Sequence, residues 1–396
     1  MFARGVDGDQ PFAQRPSHCG EPAEDANQPK DPPALGFFHV FEGNQQAPPV
    51  YREPMTQLKV DYYFDPSKGV KGAKAAAQAA ARLGYDGFFT AETGHNPFFP
   101  LVLAADAEPS LTLGTAIAVA FPRSPMTVAQ IAWDLADQSN GKFILGLGTQ
   151  VKAHIVRRFS GEWLPAGPRM RDYLQSLRAI WATFQVGAPL KYEGEFYKFT
   201  LMTPFFTGGP IDHPDVPLAI AGVGPYMAKL AGEMCQGFHV HPLHTVKYLD
   251  DVVLPRMKEG AESAGRSLDD IERITTVFVV TGDTEEELEA AKVPIKSQIA
   301  FYASTPDYAA VLEAHGWDVG ERLSQMSRRG QWSEMGALIT DEMLHEVAVV
   351  APVEEVGAAI GKRYGDRVQR VGYYTLHDGL GWPEDRWRDL VTATRG

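Results

Sequence analysis

Patterns of a buried strand alternate with helical patterns eight times from Leu58 onward, and this alternation restricts the fold more than any other feature. Strands that alternate with helices form a parallel sheet, and eight such strands close into a barrel. We therefore predict a single (β/α)8 TIM barrel with insertions. The eight predicted strands are 58–64, 86–92, 111–120, 142–148, 216–222, 237–241, 273–280 and 370–375.

Boundary signals support this division of the chain. Gly84 suits the position after the first helix, and Ser124 followed by Pro125 predicts the start of the third. The connection over about 187–215 and the stretch over about 304–345, which has no clear strand, are expected as insertions. A doubly wound open sheet is the rival fold. It is less well supported because no strand is followed by GxGxxG with an acid about 20 residues later.

Residues 1–56 differ from the rest of the chain, because their prolines are closely spaced and no hydrophobic period is sustained. Such a segment cannot bury enough apolar surface to offset the entropy lost on ordering. We therefore predict a disordered, proline-rich tail, followed by a barrel domain over 57–396. Translation from Met55, which would make the tail an artefact, is the alternative.

Charge and cysteine content limit the classes of function. The formal net charge of −13 disfavours binding to nucleic acid or to an anionic membrane, although a local basic pocket remains compatible with it. Cys19 and Cys235 are far apart and fit no disulfide framework or zinc spacing. No apolar stretch approaches the roughly 18–20 residues that span a bilayer, and the N-terminus lacks the features of a signal peptide. We expect a cytoplasmic protein that acts on a small molecule.

Two of the predicted strand ends have features of a phosphate site. Active sites of these barrels lie at the carboxyl ends of the strands. In Gly146–His154 small residues let the backbone approach an anion, while Lys152, His154 and two following arginines add positive charge. Ala221–Pro225 ends a strand and opens a helix, so its amides and the helix dipole face a ligand. Each segment alone also fits a tight turn, but together, on adjacent strands, they predict one shared phosphate.

Two blocks of sequence resemble a known superfamily. LGTAIAVAFPRSPMTVAQIAWDLADQSNGKFILGLGT, residues 113–149, is similar to the strand 3–helix 3–strand 4 region of luciferase-like monooxygenases and the related F-420-dependent oxidoreductases. PLAIAGVGPYMAKLAGEMCQGF, residues 217–238, resembles their strand 5–helix 5 segment. The resemblance extends over essentially all of 58–395. It implies an oxidoreductase that binds a flavin or deazaflavin ring in the mouth of the barrel.

The resemblance also implies individual residues. Relatives that use F-420 carry a non-proline cis peptide in strand 3, which corresponds here to Ala116–Ile117. The cofactor phosphate of relatives lies on the loops after strands 4 and 5, where our independent prediction also places it. Asp61 is added because it lies on the first predicted strand, in the part of the barrel where strand ends form the site, and Lys152 and His154 are added for their charge. The complete cofactor-binding set is Asp61, Glu92, Ala116, Ile117, Gly148, Thr149, Gln150, Lys152, His154, Gly222, Val223, Gly224 and Pro225.

One departure from the family pattern affects the catalytic residues. Several relatives place an acid followed by histidine at the end of strand 2, whereas here Glu92 is followed by Thr93, and His95 comes two residues later. Glu92 and His95 are our catalytic candidates, because either could supply the proton that accompanies hydride transfer. In the alternative, Glu92 hydrogen-bonds the cofactor ring and His95 caps the following loop. Val151 replaces a glutamate of the sugar-phosphate dehydrogenases of this group, so that activity is not expected.

Three histidines, His239, His241 and His244, raise the question of a metal site. His239 and His241 are two residues apart on a strand and therefore share a face. No carboxylate accompanies them in the motif, and the resemblance predicts no metal. We therefore expect them to line the substrate pocket and predict no metal.

Three functions remain open at this point. The first is hydride transfer between coenzyme F-420 and a small organic substrate, since F-420 lacks the nitrogen that lets a flavin manage oxygen and single electrons. The second is an FMN-dependent monooxygenase on the same fold. The third is a catalytically silent barrel that binds a ligand. A homodimer is also an open alternative, because dimers are common among the proteins that the chain resembles.

Overall fold

The computed structural model describes residues 57–374 and 382–396, so the predicted tail 1–56 and the last residue of the eighth predicted strand lie outside the described residues. The strands in these ranges, in chain order, are β1 (Lys59–Phe64), β2 (Gly87–Thr90), β3 (Thr112–Thr115), β4 (Ala118–Val119), β5 (Phe143–Gly148), β6 (Tyr192–Glu193), β7 (Lys198–Phe199), β8 (Leu218–Gly222), β9 (Gly237–Val240), β10 (Glu272–Val280), β11 (Ala348–Val350) and β12 (Arg370–Tyr374).

Eight of these strands form a closed parallel barrel. β1 pairs with β2, and the pairing continues through β3, β5, β8, β9, β10 and β12 back to β1. β4 extends the β3 edge along β5, and β11 adds to the end of β10. β6 and β7 form an antiparallel hairpin outside the barrel. Each of the eight predicted strand segments overlaps one barrel strand, and β10 begins one residue before its predicted segment, so the predicted TIM barrel is confirmed.

Helices surround the barrel. They are α1 (Ala73–Arg82), α2 (Phe98–Ala107), α3 (Pro125–Gln138), α4 (Lys152–Arg157), α5 (Ala166–Val186), α6 (Pro225–Met234), α7 (Val246–Tyr248), α8 (Leu254–Ser263), α9 (Glu285–Ala303), α10 (Ala309–Glu313), α11 (Val319–Arg328), α12 (Trp332–Met335), α13 (Asp341–Val347), α14 (Val353–Tyr364) and α15 (Glu384–Arg395). A π-helical turn, Leu249–Val253, connects α7 to α8. In the described ranges no helix combines the length and the apolar character that a bilayer crossing needs.

The predicted helix boundaries follow from local chemistry. The hydroxyl of Ser124 accepts a hydrogen bond from the Met126 amide, and Pro125 occupies the first helical position of α3. Gly84, which follows the end of α1, has a φ of 86°, a conformation that glycine adopts without steric cost. Both boundary signals therefore mark the ends that the sequence indicated.

The predicted insertion over about 304–345 is helical. α10 to α13 pack on α9 around a second apolar core, which is separate from the main one and includes Ile299, Leu323 and Leu344. The chain then returns to the barrel edge as β11, which pairs with the end of β10. The insertion therefore lies beside the carboxyl end of β10, at the mouth of the barrel.

Glycines on the barrel strands make room for large side chains in its interior. A Cβ atom at Gly114 would overlap the ring of Phe89, and one at Gly372 would overlap the ring of Tyr63. The Tyr63 and Phe89 rings stack with their centroids 5.6 Å apart. The interior is thus filled by side chains, as is usual for a barrel of this size.

Candidate functional site

The two predicted phosphate segments lie side by side in the structure. β5 and β8 are neighbours in register, with Leu145 opposite Leu218 and Leu147 opposite Ile220. Gly148 ends β5 and Gly222 ends β8, so the loops that follow leave the barrel at adjacent points of its carboxyl edge. The structure therefore brings both loops to one place, which is what a shared anion would require.

A cis peptide bond joins Ala116 to Ile117, at the position that the family resemblance implied. It lies between β3 and β4, beside the end of β5. A Cβ atom at Gly148 would lie 2.6 Å from Cδ1 of Ile117, so Gly148 has to be glycine for Ile117 to lie this close. Gly148 thus has a packing role as well as its predicted role in binding.

Glu92 is held by three hydrogen bonds. Arg123 donates from Nη1 to Oε2 at 2.7 Å and from Nη2 to Oε1 at 2.9 Å, and the Val119 amide donates to Oε2 at 2.7 Å. The amide of Glu92 donates to the carbonyl of Ile117 at 3.1 Å. Glu92 therefore ties the end of β2 to the segment around the cis peptide. Both carboxylate oxygens are occupied, which favours a positioning role over that of a free acid.

His95 lies at the rim of the mouth and is exposed. Its ring lies 3.8 Å from the position that a Cβ atom of Gly69, in the β1–α1 loop, would take. His95 also lines a small hollow together with Asn96 and Pro97. The alternative, in which His95 caps the loop before Asn96–Pro97, stays a prediction. The side chain of Asn96 accepts from the Phe98 amide at 2.9 Å, at the start of α2.

The loop after β5 combines an unusual backbone with exposed positive charge. Gln150 has a φ of 59°, and its side-chain oxygen accepts from the Val151 amide at 2.9 Å. Lys152 and His154 are exposed on α4, while Thr149 is half-buried. Beyond α4, Arg158 donates to the Thr93 carbonyl and so ties this loop to the one after β2. The polar contact at Thr93 is thus made by its backbone.

The start of α6 has open space beside its N-cap residue, and we call this space the recess. Gly224 is the N-cap residue, and nothing lies within 4 Å of the position that its Cβ would take. Pro225 opens the helix, and no side chain caps the amides of the first turn. The Val223 carbonyl accepts from the Tyr248 hydroxyl at 3.0 Å, which fixes the loop. Gly222 packs against Met227. Unpaired amides around an open recess fit a phosphate group.

The structure does not place Asp61 with the other predicted site residues. Arg370 donates from Nε to Oδ2 of Asp61 at 2.7 Å and also from Nη2, and each of the two residues is 1% exposed. Glu272, which opens β10, lies 3.8 Å from Arg370, and Arg370 itself opens β12. Asp61 therefore belongs to an ion-pair network towards the amino-terminal end of the barrel, and its carboxylate already has a partner.

His241 and His244 are neighbours, with Nδ1 of His244 2.8 Å from the carbonyl oxygen of His241, whereas His239 lies inside the barrel. Burial lowers the pKa of His239 to about 4, of His241 to about 3 and of His244 to about 4. His239 faces Phe89 inside the barrel, whereas His241 lies among tyrosines at the mouth. In residues 57–374 and 382–396 no group of three His, Cys, Asp or Glu side chains is arranged to hold a metal.

Sequence reasoning missed Arg123 and the tyrosines around His241. Arg123 comes three residues after the third predicted strand, and its opposite charge to Glu92, at the end of the second, was an available signal. Tyr302 and Tyr308 come from the end of α9 and the following turn. Their approach to the mouth depends on how the insertion folds back, for which the sequence carries no periodic signal.

The described site can now be compared with known proteins. A family model described as luciferase-like monooxygenase matches residues 38–370. The chain belongs to this family. An uncharacterized protein of Mycobacterium tuberculosis, Rv1360, is 46% identical over 316 residues, which are 80% of this chain and 92% of that protein. Family membership makes the chain an oxidoreductase of the luciferase-like class, with a deazaflavin or flavin as its coenzyme.

Further matches include a reductase and a monooxygenase. The 5,10-methylenetetrahydromethanopterin reductase of Methanopyrus kandleri is 28% identical over 272 residues, 65% of this chain and 74% of the reductase. The solved coenzyme F-420-dependent tetrahydromethanopterin reductase from that organism has a TM-score of 0.67 at 21% identity, covering 85% of this chain and 97% of its own. EDTA monooxygenase from Chelativorans sp. BNC1 has a TM-score of 0.63 at 13% identity, covering 86% and 93%. The structural matches confirm the fold.

Proposed function

We propose that this family member transfers a hydride between coenzyme F-420 and a small organic substrate. The observation that carries the proposal is the open space at Gly224, on the loop after β8, while the loop after the neighbouring strand β5 leads into α4 with its exposed Lys152 and His154. The recess would hold the coenzyme's phosphate through the amides of Val223 and the first turn of α6. Lys152 and His154 would attract the acidic tail beyond that phosphate.

The choice of F-420 over FMN is supported by charge. FMN ends at its phosphate, whereas F-420 continues into an acidic tail, and the exposed Lys152 and His154 follow the neighbouring strand β5 in a chain whose formal net charge is −13. The reductase from Methanopyrus kandleri is described as F-420-dependent. An FMN monooxygenase is the second candidate, because the same recess fits the phosphate of either coenzyme.

The residues of the chain would orient the reaction rather than perform the transfer itself. F-420, when bound, supplies or accepts the hydride. Glu92 and Arg123 would hold the segment around Ala116–Ile117 in place behind the ring. His95, at the exposed rim, would exchange the accompanying proton with the substrate oxygen, since the ring nitrogens of an imidazole can both donate and accept a proton.

Fluorescence titration of the purified full-length chain with F-420 and with FMN tests the proposal. We expect F-420 to bind at least about tenfold more tightly than FMN if a charged tail contact exists. Gly224→Asp should weaken F-420 binding by charge repulsion, whereas Gly224→Asn adds similar bulk without charge. Both side chains are good N-caps, so misfolding would not explain a difference between them.

Lys152→Glu and Lys258→Glu form a second matched pair. Both lysines are exposed on helices, but Lys258 lies in the middle of α8, which leads away from the mouth. Only Lys152→Glu should weaken F-420 binding, and it should leave FMN binding nearly unchanged. Preference of the wild-type chain for FMN would favour the monooxygenase, and binding of neither coenzyme would favour a catalytically silent barrel.

A further inference from the structure

Five aromatic side chains meet at the mouth on the side of β9, β10 and β12. His241 directly follows β9, Phe278 lies near the end of β10, and Tyr374 ends β12. Tyr302 and Tyr308 reach the same place from α9 and the turn after it. The His241 ring lies 4.8 Å from the Tyr302 ring and 4.4 Å from the Tyr308 ring, and Phe278 lies 4.6 Å from Tyr374. We call these five residues the aromatic wall.

The aromatic wall and the predicted coenzyme recess share one edge of the barrel. β8 and β9 are neighbours in register, with Gly222 opposite Val240. His241 therefore follows β9 at the level at which Val223 follows β8. Strand alternation places His241 on the same face as His239, whose ring packs against Phe89 inside the barrel. A molecule bound over the mouth would therefore have the wall as one of its sides.

The hydrogen bonds of His241 determine which nitrogen carries its proton. Nδ1 accepts from the Leu243 amide at 3.0 Å, so Nδ1 carries no hydrogen. Burial keeps the pKa of His241 near 3, and the ring is therefore neutral at physiological pH. The hydrogen must then be on Nε2. Within the described residues no hydrogen bond to Nε2 is found, which leaves this N–H as an available donor.

The other polar groups of the wall are also uncharged. The hydroxyls of Tyr302 and Tyr374 are 3.0 Å apart and share a hydrogen bond, and burial raises the pKa of both phenols. Burial likewise raises the pKa of Tyr308 to about 12, with the neighbouring Asp307 adding to the shift. In the part of the chain that the structure describes, no lysine or arginine forms an ion pair or hydrogen bond with a wall residue. The wall thus offers neutral donors between aromatic faces.

Resting on the proposed function, we propose that the aromatic wall is the substrate subsite, where His241 Nε2 donates to an oxygen of an uncharged substrate with an apolar or aromatic body. The half-buried rings of Tyr302, Tyr308 and Tyr374 provide apolar contact area for that body, and the fully buried Phe278 packs behind them. An anionic substrate is disfavoured, because a buried charge needs an opposite charge or several donors to replace its water. His241 binds the substrate and remains neutral, so it is a specificity residue and does not compete with His95 as the proton donor.

Benzamide and benzoate are matched probes for this subsite, because they have nearly the same shape and differ in charge. We expect ligand-observed NMR titration of the wild-type chain to show benzamide binding about tenfold or more tighter than benzoate. His241→Phe keeps an aromatic ring but removes the N–H, and should weaken benzamide binding about fivefold. His345→Phe, at an exposed histidine of α13, is the control and should leave binding unchanged.

A gain-of-function variant keeps the test informative even if His241→Phe misfolds. Tyr308→Arg places a cation at the wall from a partly exposed turn, and should reverse the preference so that benzoate binds more tightly than benzamide. Equal binding of the two probes to the wild type, or no change in either His241→Phe or Tyr308→Arg, would overturn the proposal. The probes are measured without coenzyme. Benzamide binding that depends on His241 therefore supports the subsite even where F-420 fails to bind.

Discussion

At the scale of single residues, the two carboxylates that we expected at the coenzyme have different partners and lie at different depths in the barrel. Glu92 lies at the mouth, where Arg123 and the Val119 amide fix it against the segment of the cis peptide. Asp61 lies deeper and is bound by Arg370. Both were predicted from their positions on strands, but strand position alone does not show which buried cation reaches a carboxylate.

The pair of Glu92 and His95 can be separated by a pH profile. Glu92→Gln keeps the shape of the side chain but removes the charge that binds Arg123, so we expect weaker coenzyme binding with an unchanged ionisation in the rate profile. His95→Asn should remove that ionisation, because the proposed proton carrier is gone. Steady-state rates between pH 5.5 and 8.5 measure both. Loss of the ionisation in Glu92→Gln alone would assign the proton to Glu92.

Arg370 is expected to be essential for stability. Arg370→Ala leaves the Asp61 carboxylate buried without its main partner, which typically costs about 3–5 kcal/mol of unfolding free energy. Urea unfolding measures the loss. In the double variant Asp61→Leu/Arg370→Met both charges are removed, and most of the stability should return. Asp61→Asn should lower the unfolding free energy and leave coenzyme affinity the same. A loss of coenzyme affinity without a loss of stability would instead assign Asp61 to the coenzyme site.

At the scale of elements, the strands were predictable because a buried strand appears in the sequence as a short apolar run. The segment 142–148 contains β5 and 216–222 contains β8, since each is an apolar run bounded by turn residues. The sequence of the insertion has no comparable pattern that predicts how it folds. Its helices are held by a core formed with α9, and the position of Tyr308 at the mouth follows from that packing alone. The two loops of the candidate site could therefore be predicted from the sequence, whereas the aromatic wall required the structure.

Gly114 tests how tightly the barrel elements pack. Its missing side chain leaves space for the ring of Phe89, so Gly114→Ala should destabilise the barrel by about 1–3 kcal/mol through overpacking. Gly94 is the matched control, because nothing lies within 4 Å of its Cβ position and its backbone has an ordinary conformation. Thermal unfolding of both alanine variants measures the difference. An equal effect at the two positions would mean that the Phe89 ring moves without cost.

At the scale of the whole molecule, a closed barrel with a large apolar core encloses ionisable groups that a smaller domain would leave in water. Three of them are neutral histidines, two of which, His239 and His244, are 6% and 2% exposed. Each is kept uncharged by its burial, so the folded molecule has a lower affinity for protons at these positions than the unfolded chain. Stability and proton concentration are thereby linked.

This linkage predicts lower stability in mild acid. An unfolded histidine titrates near pH 6.5, whereas His239, His241 and His244 have a pKa of about 4, 3 and 4 in the folded chain. Between about pH 6.5 and 4 the unfolded chain binds the extra protons, so the unfolding free energy decreases as the pH falls. Urea midpoints at pH 7, 6 and 5 should decrease in that order. A constant midpoint would contradict the prediction, and His345→Phe should not alter the trend.

The pairing of β1 with β12 has a consequence for biosynthesis. Asp61 and Arg370 are 309 residues apart in the chain, yet they are partners in the same ion pair. At about 5–20 residues per second, a ribosome adds Arg370 roughly 15–60 seconds after Asp61. Throughout that interval the nascent chain has an unpaired carboxylate and two open sheet edges, which are ready partners for other chains. We therefore expect the nascent chain to be prone to pairing with other chains until its last strand emerges.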